Sequence, residues 1–528
     1  MSLSDLYNEW FLPENKNWWF KPTGCDDEYL RNKYFDLLDR VGAGGGGQGW
    51  VGDGIDVFLS KVILFDQLPR HIYRNEHANH IVAFFLHHAV NISKMHLLTN
   101  LDKMNDEEYM FALLPFRHTN NVNHIMDVMK TTWTRINTLG ESKTLKRFLR
   151  ATYTKCPKQG SHIGYLPKPD SKIVWNTHTF QNILEYAPLD ICDVSKYHEL
   201  QSNPCYAAIK AFVESPKKGG GADQPLIVSL SGGVDSMVCA ALLKHFGASV
   251  MALHINYCNR GIEEEDFVVS WCHLMDIPIH VRRLSEIQRG PCMTIGMRDT
   301  YETYTRDVRF ASYRALAINE PCVILGHNED DCFENIMTNI AQKQKTDNLK
   351  GMDHMVLQSG IRFYRPLLNV SKGDIYAFAK QACIPFLQDS TPSWSQRGII
   401  RDSVRPAIEK WHPGFVKEML GLGDHIEELY TFMEDMVDTM IESCRLNKGC
   451  LRIPASFKSI TSAMFWKHYL IRAHKLYASQ KSLGHFIQRL EDVVQNKKKG
   501  NIQLSHDWHV SIDARVGMVS FVFKDLCM

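Results

Sequence analysis

LIVSLSGGVDSMVCAALLK, residues Leu226 to Lys244, is the stretch from which the fold is predicted. Its apolar, β-branched beginning, Leu226 to Leu230, is typical of a buried parallel strand. From Met237 the chain continues at helical spacing, and the turn between the two elements is rich in glycine. A strand, a glycine-rich turn and a helix N-terminus together present backbone N–H groups and a positive dipole end to an anion.

The side chains of this turn indicate which anion it binds. Its two adjacent glycines allow the backbone to approach phosphate oxygens closely, and Ser231 and Ser236 add hydroxyl groups. Asp235 would be repelled by phosphates unless a cation or a sugar hydroxyl intervenes, which favours Mg²⁺ or a ribose at this position. The alternative is an ordinary tight turn with a Ser/Asp helix cap. A Walker A loop is excluded because no Gly-Lys-Ser/Thr follows.

The string Ser-Gly-Gly-Val-Asp-Ser resembles the PP-loop signature of the N-type ATP pyrophosphatases. The resemblance implies an enzyme that cuts ATP between its α and β phosphates and attaches AMP to a substrate oxygen. It also implies that ATP is held by the residues of the loop, which are Ser231, Gly232, Gly233, Val234, Asp235 and Ser236.

A second strand is predicted from Ser249 to Asn256, with His254 and Asn256 on the same face. A parallel crossover of this kind is right-handed, and ligands bind beyond the carboxyl ends of its strands. The stretch His254-Ile-Asn-Tyr-Cys-Asn-Arg resembles a segment of tRNA(Ile)-lysidine synthetases, and this resemblance implies that His254 and Asn256 contribute to cofactor binding.

A further buried strand, Cys322 to Leu325, is followed by His-Asn-Glu-Asp-Asp-Cys-Phe-Glu. Asp331 and Glu334 lie three residues apart at a predicted helix start, a spacing that suits Mg²⁺ or a general base, or a simple helix cap. The segment resembles the same synthetases at His327, Asp331 and Glu334. The resemblance implies catalytic roles for these three residues and for Asp235, with Asp235 and Asp331 as the metal ligands.

Arginines provide the remaining candidates. Arg306 and Arg309 share one face of a predicted helix, where they suit phosphate or RNA, although an exposed, salt-bridged helix has the same pattern. By resemblance, Arg306 is assigned to catalysis and Arg309, Arg397 and Arg401 to RNA binding.

The sequence departs from the synthetase pattern at Tyr257, Asn328, Asn335 and Gly398. These departures leave two alternatives open. One is a PP-loop enzyme with another acceptor or nucleophile, such as a 2-thiocytidine-forming relative. The other is a protein that binds nucleotide or RNA without turnover.

The first part of the chain is predicted to be helical. It resembles the all-helical, repeat-like DUF924 family, whose biochemical role is uncertain. The resemblance rests on Trp10-Phe11, Trp18-Trp-Phe20, Phe65-Asp-Gln-Leu-Pro-Arg70, Tyr73-Arg74 and Leu114-Pro-Phe-Arg-His118. Asp66, Arg70 and Arg74 are predicted to form either a ligand pocket or a buried ion-pair network, in a region that serves as a scaffold or docks RNA.

Length and composition predict several domains. The 528 residues are too many for one core, and 44% hydrophobic and 23% charged residues are typical of a soluble globular protein. The predicted domains are a DUF924-like helical domain (1–150), a linker or joint (151–221), a catalytic PP-loop domain with a parallel sheet (222–415) and a mainly helical tRNA domain with short strands (416–528). In the last domain, Leu429, Phe432, Met433 and Met436 are predicted to form a core stripe.

A net charge of +1, from 60 basic and 59 acidic residues, requires any nucleic-acid binding to come from local patches. The 14 cysteines lack CxxC pairs and are predicted to be reduced. No apolar run reaches the ~18–20 residues of a membrane span. The resemblance to tRNA(Ile)-lysidine synthetases implies a tRNA ligase, and the lack of an apolar span predicts that it is cytoplasmic and has no membrane partner. A homodimer is one assembly that the sequence allows. The ligase would use ATP, Mg²⁺ and free L-lysine on an isoleucine tRNA with a CAU anticodon.

Overall fold

The structure, a computed structural model, describes most of the chain. The described residues are 3–20, 23–42, 54–74, 78–140, 142–156, 163–166, 177–187, 194–215, 225–258, 262–317, 320–342, 348–389, 391, 393–446, 450–452, 462–474, 476–496, 499–504, 508–513 and 518–523. They divide into two compact units, one drawn from 1–327 and 354–389, the other from 328–353 and 390–528. The domain boundaries given above stay predictions.

The N-terminal part of the first unit is helical, as predicted. Its helices are α1 (Leu3–Trp10), α2 (Asn17–Phe20), α3 (Gly24–Gly42), α4 (Ile55–Val62), α5 (Leu68–Ile72), α6 (Asn79–Asn100), α7 (Asp106–His118), α8 (Val122–Leu139) and α9 (Lys143–Lys155). A 3₁₀ turn, Pro13–Lys16, precedes α2, and a π-helical turn, Ile63–Gln67, joins α4 to α5. Asn105 begins α7 with a reciprocal capping box that includes Glu108.

The middle of the chain alternates strands and helices. In chain order these are β1 (Ile163–Leu166), β2 (Leu184–Tyr186), α10 (Pro204–Glu214), β3 (Leu226–Ser229), α11 (Val234–His245), β4 (Val250–Asn256), α12 (Glu263–Leu274), β5 (Ile279–Arg283), α13 (Arg289–Thr294), α14 (Arg298–Ala315), β6 (Cys322–Ile324), α15 (Glu329–Gln342), β7 (Met355–Gln358), β8 (Ile361–Tyr364), α16 (Lys372–Gln381) and β9 (Phe386–Leu387). All belong to the first unit except α15.

Seven of these strands form one sheet, in the order β1-β5-β4-β3-β6-β8-β7. The five inner strands are parallel, and the edge strands β1 and β7 are antiparallel to their neighbours. From β3 the chain moves to β4 on one side and later to β6 on the other. The carboxyl end of β3 is therefore the switch point at which such sheets bind ligands.

The sheet is buried on both faces, which explains the continuous apolar run of β3. Ile227 belongs to a core shared with the N-terminal helices, whereas its neighbour Val228 belongs to the core on the other face. Helix α9 contacts α14. Tyr153 Oη, on α9, also donates a hydrogen bond to the carbonyl oxygen of Glu286, which follows β5, at 3.3 Å. The N-terminal helices thus cover one face of the sheet.

The second unit is mainly helical with a small antiparallel sheet. Its further elements are α17 (Gln396–Ile399), a π-helical turn (Ile400–Val404), α18 (Arg405–Trp411), α19 (Phe415–Cys444), β10 (Arg445–Leu446), β11 (Cys450–Arg452), α20 (Ala463–His474), α21 (Gln480–Gln495), β12 (Lys499–Gln503), β13 (Trp508–Asp513) and β14 (Met518–Phe523). The predicted fold class is thereby confirmed: a helical N-terminal region, a parallel α/β core and a mainly helical C-terminal part with short strands.

Three smaller features were also expected from the sequence. The cysteines whose side chains the structure describes are all unpaired with one another. No helix in the described part of the chain is long and apolar enough to cross a membrane. The predicted core stripe of α19 is wrong, because Leu429, Phe432 and Met436 are exposed. The helix turns Val437 toward α20 instead, and that residue is fully buried.

A pair of alanine substitutions on α19 tests this correction. Phe432 is 64% exposed, so we expect Phe432→Ala to change the free energy of unfolding by no more than about 0.5 kcal/mol. Val437→Ala removes buried methyl groups and is expected to cost about 1–3 kcal/mol. Urea denaturation of the full chain measures both. A loss of about 3–5 kcal/mol on Phe432→Ala, which is the cost of truncating a buried phenylalanine, would instead support the predicted core stripe.

Candidate functional site

The loop between β3 and α11 owes its path to Gly232. This residue has φ +82°, and the Leu387 N–H donates a hydrogen bond to its carbonyl oxygen at 3.0 Å. A Cβ at position 232 would lie 2.5 Å from Leu387 Cδ1 and 3.1 Å from Val268 Cγ2. Only glycine combines this left-handed conformation with such close neighbours.

The two serines hold the loop in shape. Ser236 Oγ donates to the Gly233 carbonyl oxygen at 2.9 Å and accepts from the Ser231 N–H at 3.2 Å. Ser231 Oγ accepts from the Gly233 N–H at 3.3 Å. Helix α11 begins at Val234, so its first backbone N–H groups have no intrahelical acceptors and are available to an anion.

Gly326 supports this helix terminus from the neighbouring strand end. It follows β6, and a Cβ there would lie 2.9 Å from the backbone nitrogen of Ser236 and 3.0 Å from the carbonyl carbon and Cβ of Asp235. Because most of the atoms in this contact belong to the backbone, neither the strand end nor the helix can shift without a cost in free energy. The strand end and the first turn of α11 are therefore fixed against each other.

Asp235 has a cationic partner that the sequence analysis did not identify. Lys372 Nζ lies 2.6 Å from Asp235 Oδ2, and it also lies 5.4 Å from the ring centroid of Tyr376. Lys372 is the first residue of α16, and Ser371 caps that helix through Asp374 N. A lysine at a capped helix start was visible in the sequence, but its pairing with a loop 137 residues away was not.

The end of β4 carries the predicted cofactor residues His254 and Asn256. His254 Nδ1 donates to the Leu230 carbonyl oxygen at 2.9 Å, and its buried Nε2 has no hydrogen-bond partner among the described residues. Burial lowers the pKa of His254, so the imidazole is neutral. Asn256 donates to Glu265 at 2.8 Å and accepts from the Cys258 N–H at 2.7 Å, which assigns it a structural task in the turn.

The two predicted arginines of helix α14 differ in how exposed they are. Arg306 is exposed, whereas Arg309 is half-buried and its Nε has no hydrogen-bond partner in the described part of the chain. Tyr313, on the same helix, donates to Ser229 Oγ at 2.8 Å, at the end of β3. Arg309 is close enough to Tyr257 and Tyr313 to counter the effect of burial on their pKa values. Of the two arginines, Arg309 is the one directed toward the strand ends.

His327 is held by an arginine that was also not predicted. Arg365 Nε donates to His327 Nδ1 at 3.0 Å. An accepting Nδ1 requires the ring proton to reside on Nε2. His327 is therefore prepared to donate a hydrogen bond, and it acts as a base at Nδ1 only if the contact with Arg365 breaks.

In the second unit, the carboxylates of α15 are paired with arginines. Arg401 donates to Glu334 Oε1 from Nε at 2.9 Å and from Nη2 at 2.7 Å. Arg397 lies 3.7 Å from both Asp331 and Glu334. Burial raises the pKa of Glu334, and the charge of Arg401 opposes that shift. The helix start thus joins residues predicted for catalysis to residues predicted for RNA binding, and their roles stay predictions.

Asp331 also takes part in a helix cap. Its Oδ2 accepts from the Asn328 N–H at 3.1 Å, while Asn328 Oδ1 accepts from the N–H groups of Asp330 at 2.9 Å and Asp331 at 3.3 Å. The cap that the sequence allowed as an alternative is thus present. Asn328, which departs from the synthetase pattern, supplies half of it.

The described residues offer little for a metal ion. Within them, no group of three or more His, Cys, Asp or Glu side chains is arranged to hold one. Mg²⁺ with a nucleotide takes most of its ligands from phosphates and water, so one carboxylate suffices. Both predicted ligands already have partners: Asp235 Oδ2 lies 2.6 Å from Lys372 Nζ, and the oxygens of Asp331 face a backbone N–H and Arg397. Their roles as metal ligands stay predictions.

Comparison with known proteins matches two regions of the chain. Residues 204–408 match the family model described as "PP-loop domain", and 6–159 match that of "Bacterial protein of unknown function (DUF924)". The chain therefore combines a PP-loop region with a DUF924 region. Both resemblances drawn from the motifs are confirmed.

The curated relatives reported next share one name. The tRNA(Ile)-lysidine synthase of Staphylococcus aureus is 27% identical over 222 residues, 40% of this chain and 50% of the relative. That of Parabacteroides distasonis is 27% identical over 247 residues, 44% of this chain and 54% of the relative. The chain spans about half the length of the curated relatives it matches.

A solved structure, the U34-tRNA thiolase NcsA from Methanococcus maripaludis with its [4Fe-4S] cluster, is 17% identical. It covers 45% of this chain and 82% of its own, with a TM-score of 0.35. A superposition this loose does not establish a common fold.

Gly326→Ala tests the contact that supports the loop. The added Cβ would lie closer to the backbone of α11 than van der Waals contact allows. We therefore expect a loss of about 1–3 kcal/mol in the free energy of unfolding. The matched control is Gly373→Ala, where a Cβ would lie 3.7 Å from Ser371 Oγ and alanine is the better helix residue. Urea denaturation compares the two. Equal stability of both variants would contradict the contact.

His254 predicts a pH dependence of stability. Because burial lowers its pKa below 6.5, the unfolded chain binds this proton before the folded chain as pH falls. The contribution is fully present above pH 6.5 and is lost below it, at up to about 1.4 kcal/mol per pH unit. We expect His254→Gln to flatten the fall in the free energy of unfolding between pH 7 and pH 5.5, and His80→Gln, at an exposed site, to leave it unchanged.

Proposed function

We propose that this chain is an ATP-dependent tRNA-modifying ligase that adenylates the C2 oxygen of an anticodon cytidine and then joins free L-lysine to C2. The carrying observation is the loop at the carboxyl end of β3, where an anion-binding helix start, Asp235 and Lys372 meet. The matched PP-loop region and the similarity to tRNA(Ile)-lysidine synthases support the substrates. We propose that the tRNA is the isoleucine acceptor with a CAU anticodon.

In the first step, the cytidine oxygen attacks the α phosphorus of ATP. The bond from that phosphorus to the bridging oxygen breaks, and pyrophosphate leaves with the bonding electrons. The N–H groups at the start of α11 and the ammonium of Lys372 would stabilise the charge that develops on the phosphates. Mg²⁺, held with the phosphates and Asp235, would add positive charge there.

In the second step, the lysine ε-amine attacks C2 and AMP leaves, because adenylation has replaced a poor oxygen leaving group. The amine must arrive unprotonated and lose a further proton. Glu334 is bonded to Arg401, so proton transfer to it requires that ion pair to loosen. His327 is assigned to hydrogen-bond donation through Nε2, since Arg365 occupies Nδ1. Arg309, whose Nε lacks a partner among the described residues, takes the catalytic role first assigned to Arg306.

A second candidate is a PP-loop enzyme with another acceptor or nucleophile. The observation that favours it is the helix start of α15, where Asn328 caps the helix and the carboxylates are paired with arginines. Such a paired cluster is not an obvious base for an incoming amine.

Release of AMP from α-labelled ATP with total tRNA, with and without lysine, tests the proposal. We expect AMP only when tRNA and lysine are both present. Lys372→Met should lower kcat/KM by about 100-fold, because a charged donor beside the phosphates is lost. Lys380→Met, at an exposed position of the same helix, is the matched control and should be unchanged.

The other outcomes separate the candidates. AMP-linked RNA that accumulates regardless of lysine would retain the adenylation and reject the lysine acceptor. Absence of AMP under every condition, with ATP still bound, would reject the enzyme and leave a nucleotide-binding protein.

A further inference from the structure

The DUF924 region contains a cavity that the proposed reaction does not use. It has a volume of about 640 Å³ and lies between the 3₁₀ turn before α2, α2 itself, α7 and α9. Volumes of this size are typical of sites for small molecules. The lining side chains on which the argument rests are Lys16, Trp19, Glu107, Arg117, Arg147 and Phe148.

Arg117 is the unusual member of this lining. Its guanidinium carbon lies 5.5 Å from the ring centroid of Phe148, and Nη2 donates to the Ala151 carbonyl oxygen at 3.3 Å. Its Nε is buried and has no hydrogen-bond partner among the described residues. Burial lowers the pKa of Arg117, which shows that the charge is incompletely solvated. A buried donor of this kind needs an explanation, since leaving it unsatisfied costs free energy.

The nearest acidic groups are engaged elsewhere. Glu107 forms an ion pair with Lys16. Asp66 is fully buried, and its oxygens accept from His118 at 2.9 Å and from Arg70 at 3.2 Å. Asp66 therefore acts on Arg117 through charge alone, without a hydrogen bond between them.

This network contains the ion pairs that the sequence allowed as one alternative for Asp66, Arg70 and Arg74. Asp66 and Arg70 form a partly buried ion pair joined by His118, whereas Arg74 pairs with Asp27 at 2.8 Å. The motif residues thus link α5 to the end of α7. The residue before His118 is Arg117, so the network holds the arginine at the cavity.

The cavity combines positive charge with an apolar wall. Its charged lining residues are three bases and one acid, so the lining is net positive. Phe148 is buried, and Trp19 is held by a hydrogen bond to the Trp10 carbonyl oxygen at 3.1 Å and by the ring of Phe111 at 5.1 Å. The wall is therefore preorganised.

We propose that this cavity binds a small organic anion, a phosphate or carboxylate carried on an aromatic or similarly apolar body. The anionic group bonds to Arg117, where it satisfies Nε, and Arg147 adds charge at the exposed side. The apolar body lies against Phe148 and Trp19. The site belongs to the helical region and is separate from the PP-loop at the end of β3.

Isothermal titration of the full chain with phenyl phosphate and with benzoate tests this site and distinguishes the two anions. Inorganic phosphate and benzyl alcohol, which each carry half of the probe, should bind at least tenfold more weakly than the better probe. We expect Arg117→Gln to weaken that probe at least tenfold, Arg147→Gln about threefold, and Arg117→Lys to restore part of the affinity. Lys143→Gln removes an exposed charge from the same helix outside the lining and should change nothing.

A variant of the PP-loop is the control for where the probe binds. Ser231→Asp places a negative charge in the PP-loop and should leave probe binding intact; loss of binding in this variant alone would move the probe to that loop and overturn the proposal. Arg147 is exposed, so its substitution reports on binding even if Arg117→Gln does not fold. Failure of both probes to bind at millimolar concentration, or unchanged affinity in both arginine variants, would also overturn it.

Discussion

The candidate site depends on a backbone contact that only glycine permits. Gly326, after β6, lies against the first turn of α11, and Gly232 adopts a positive φ while its carbonyl accepts from Leu387. Two strand ends and one segment after α16 therefore position the same six-residue loop. Its anion-binding groups are backbone N–H groups, so their geometry is only as accurate as this packing.

The charged candidate residues follow a different pattern in each of the two units. In the first unit, each cationic side chain contacts one candidate residue. Lys372 forms an ion pair with Asp235, and Arg365 donates a hydrogen bond to His327. In the second unit, arginines and carboxylates form a cluster at the start of α15, with Glu334 almost fully buried. Breaking one member of such a cluster leaves an uncompensated buried charge, which is costly. A role in catalysis for Glu334 therefore requires a rearrangement that a structural role does not.

The N-terminal region is integrated with the sheet it covers. Its helices share one core with the side chains on one face of β3, and Tyr153 reaches the Glu286 carbonyl. Within that region, the buried Asp66 network holds α5 and α7 together and places Arg117 at the cavity. The same region thereby shares a core with the sheet and lines the cavity, and Phe148 takes part in both.

The sequence by itself determined the local elements and their order. The run from Leu226 to Lys244 predicted strand, turn and helix, because β-branched burial, paired glycines and helical spacing are encoded over a few residues. Only the tertiary structure decided which distant side chains pair and which helix faces are buried. Lys372 meets Asp235 across 137 residues, and Arg401 meets Glu334 across 67. Phe432 is exposed although its stripe resembles a core, since helical spacing identifies an apolar face but not whether another element covers it.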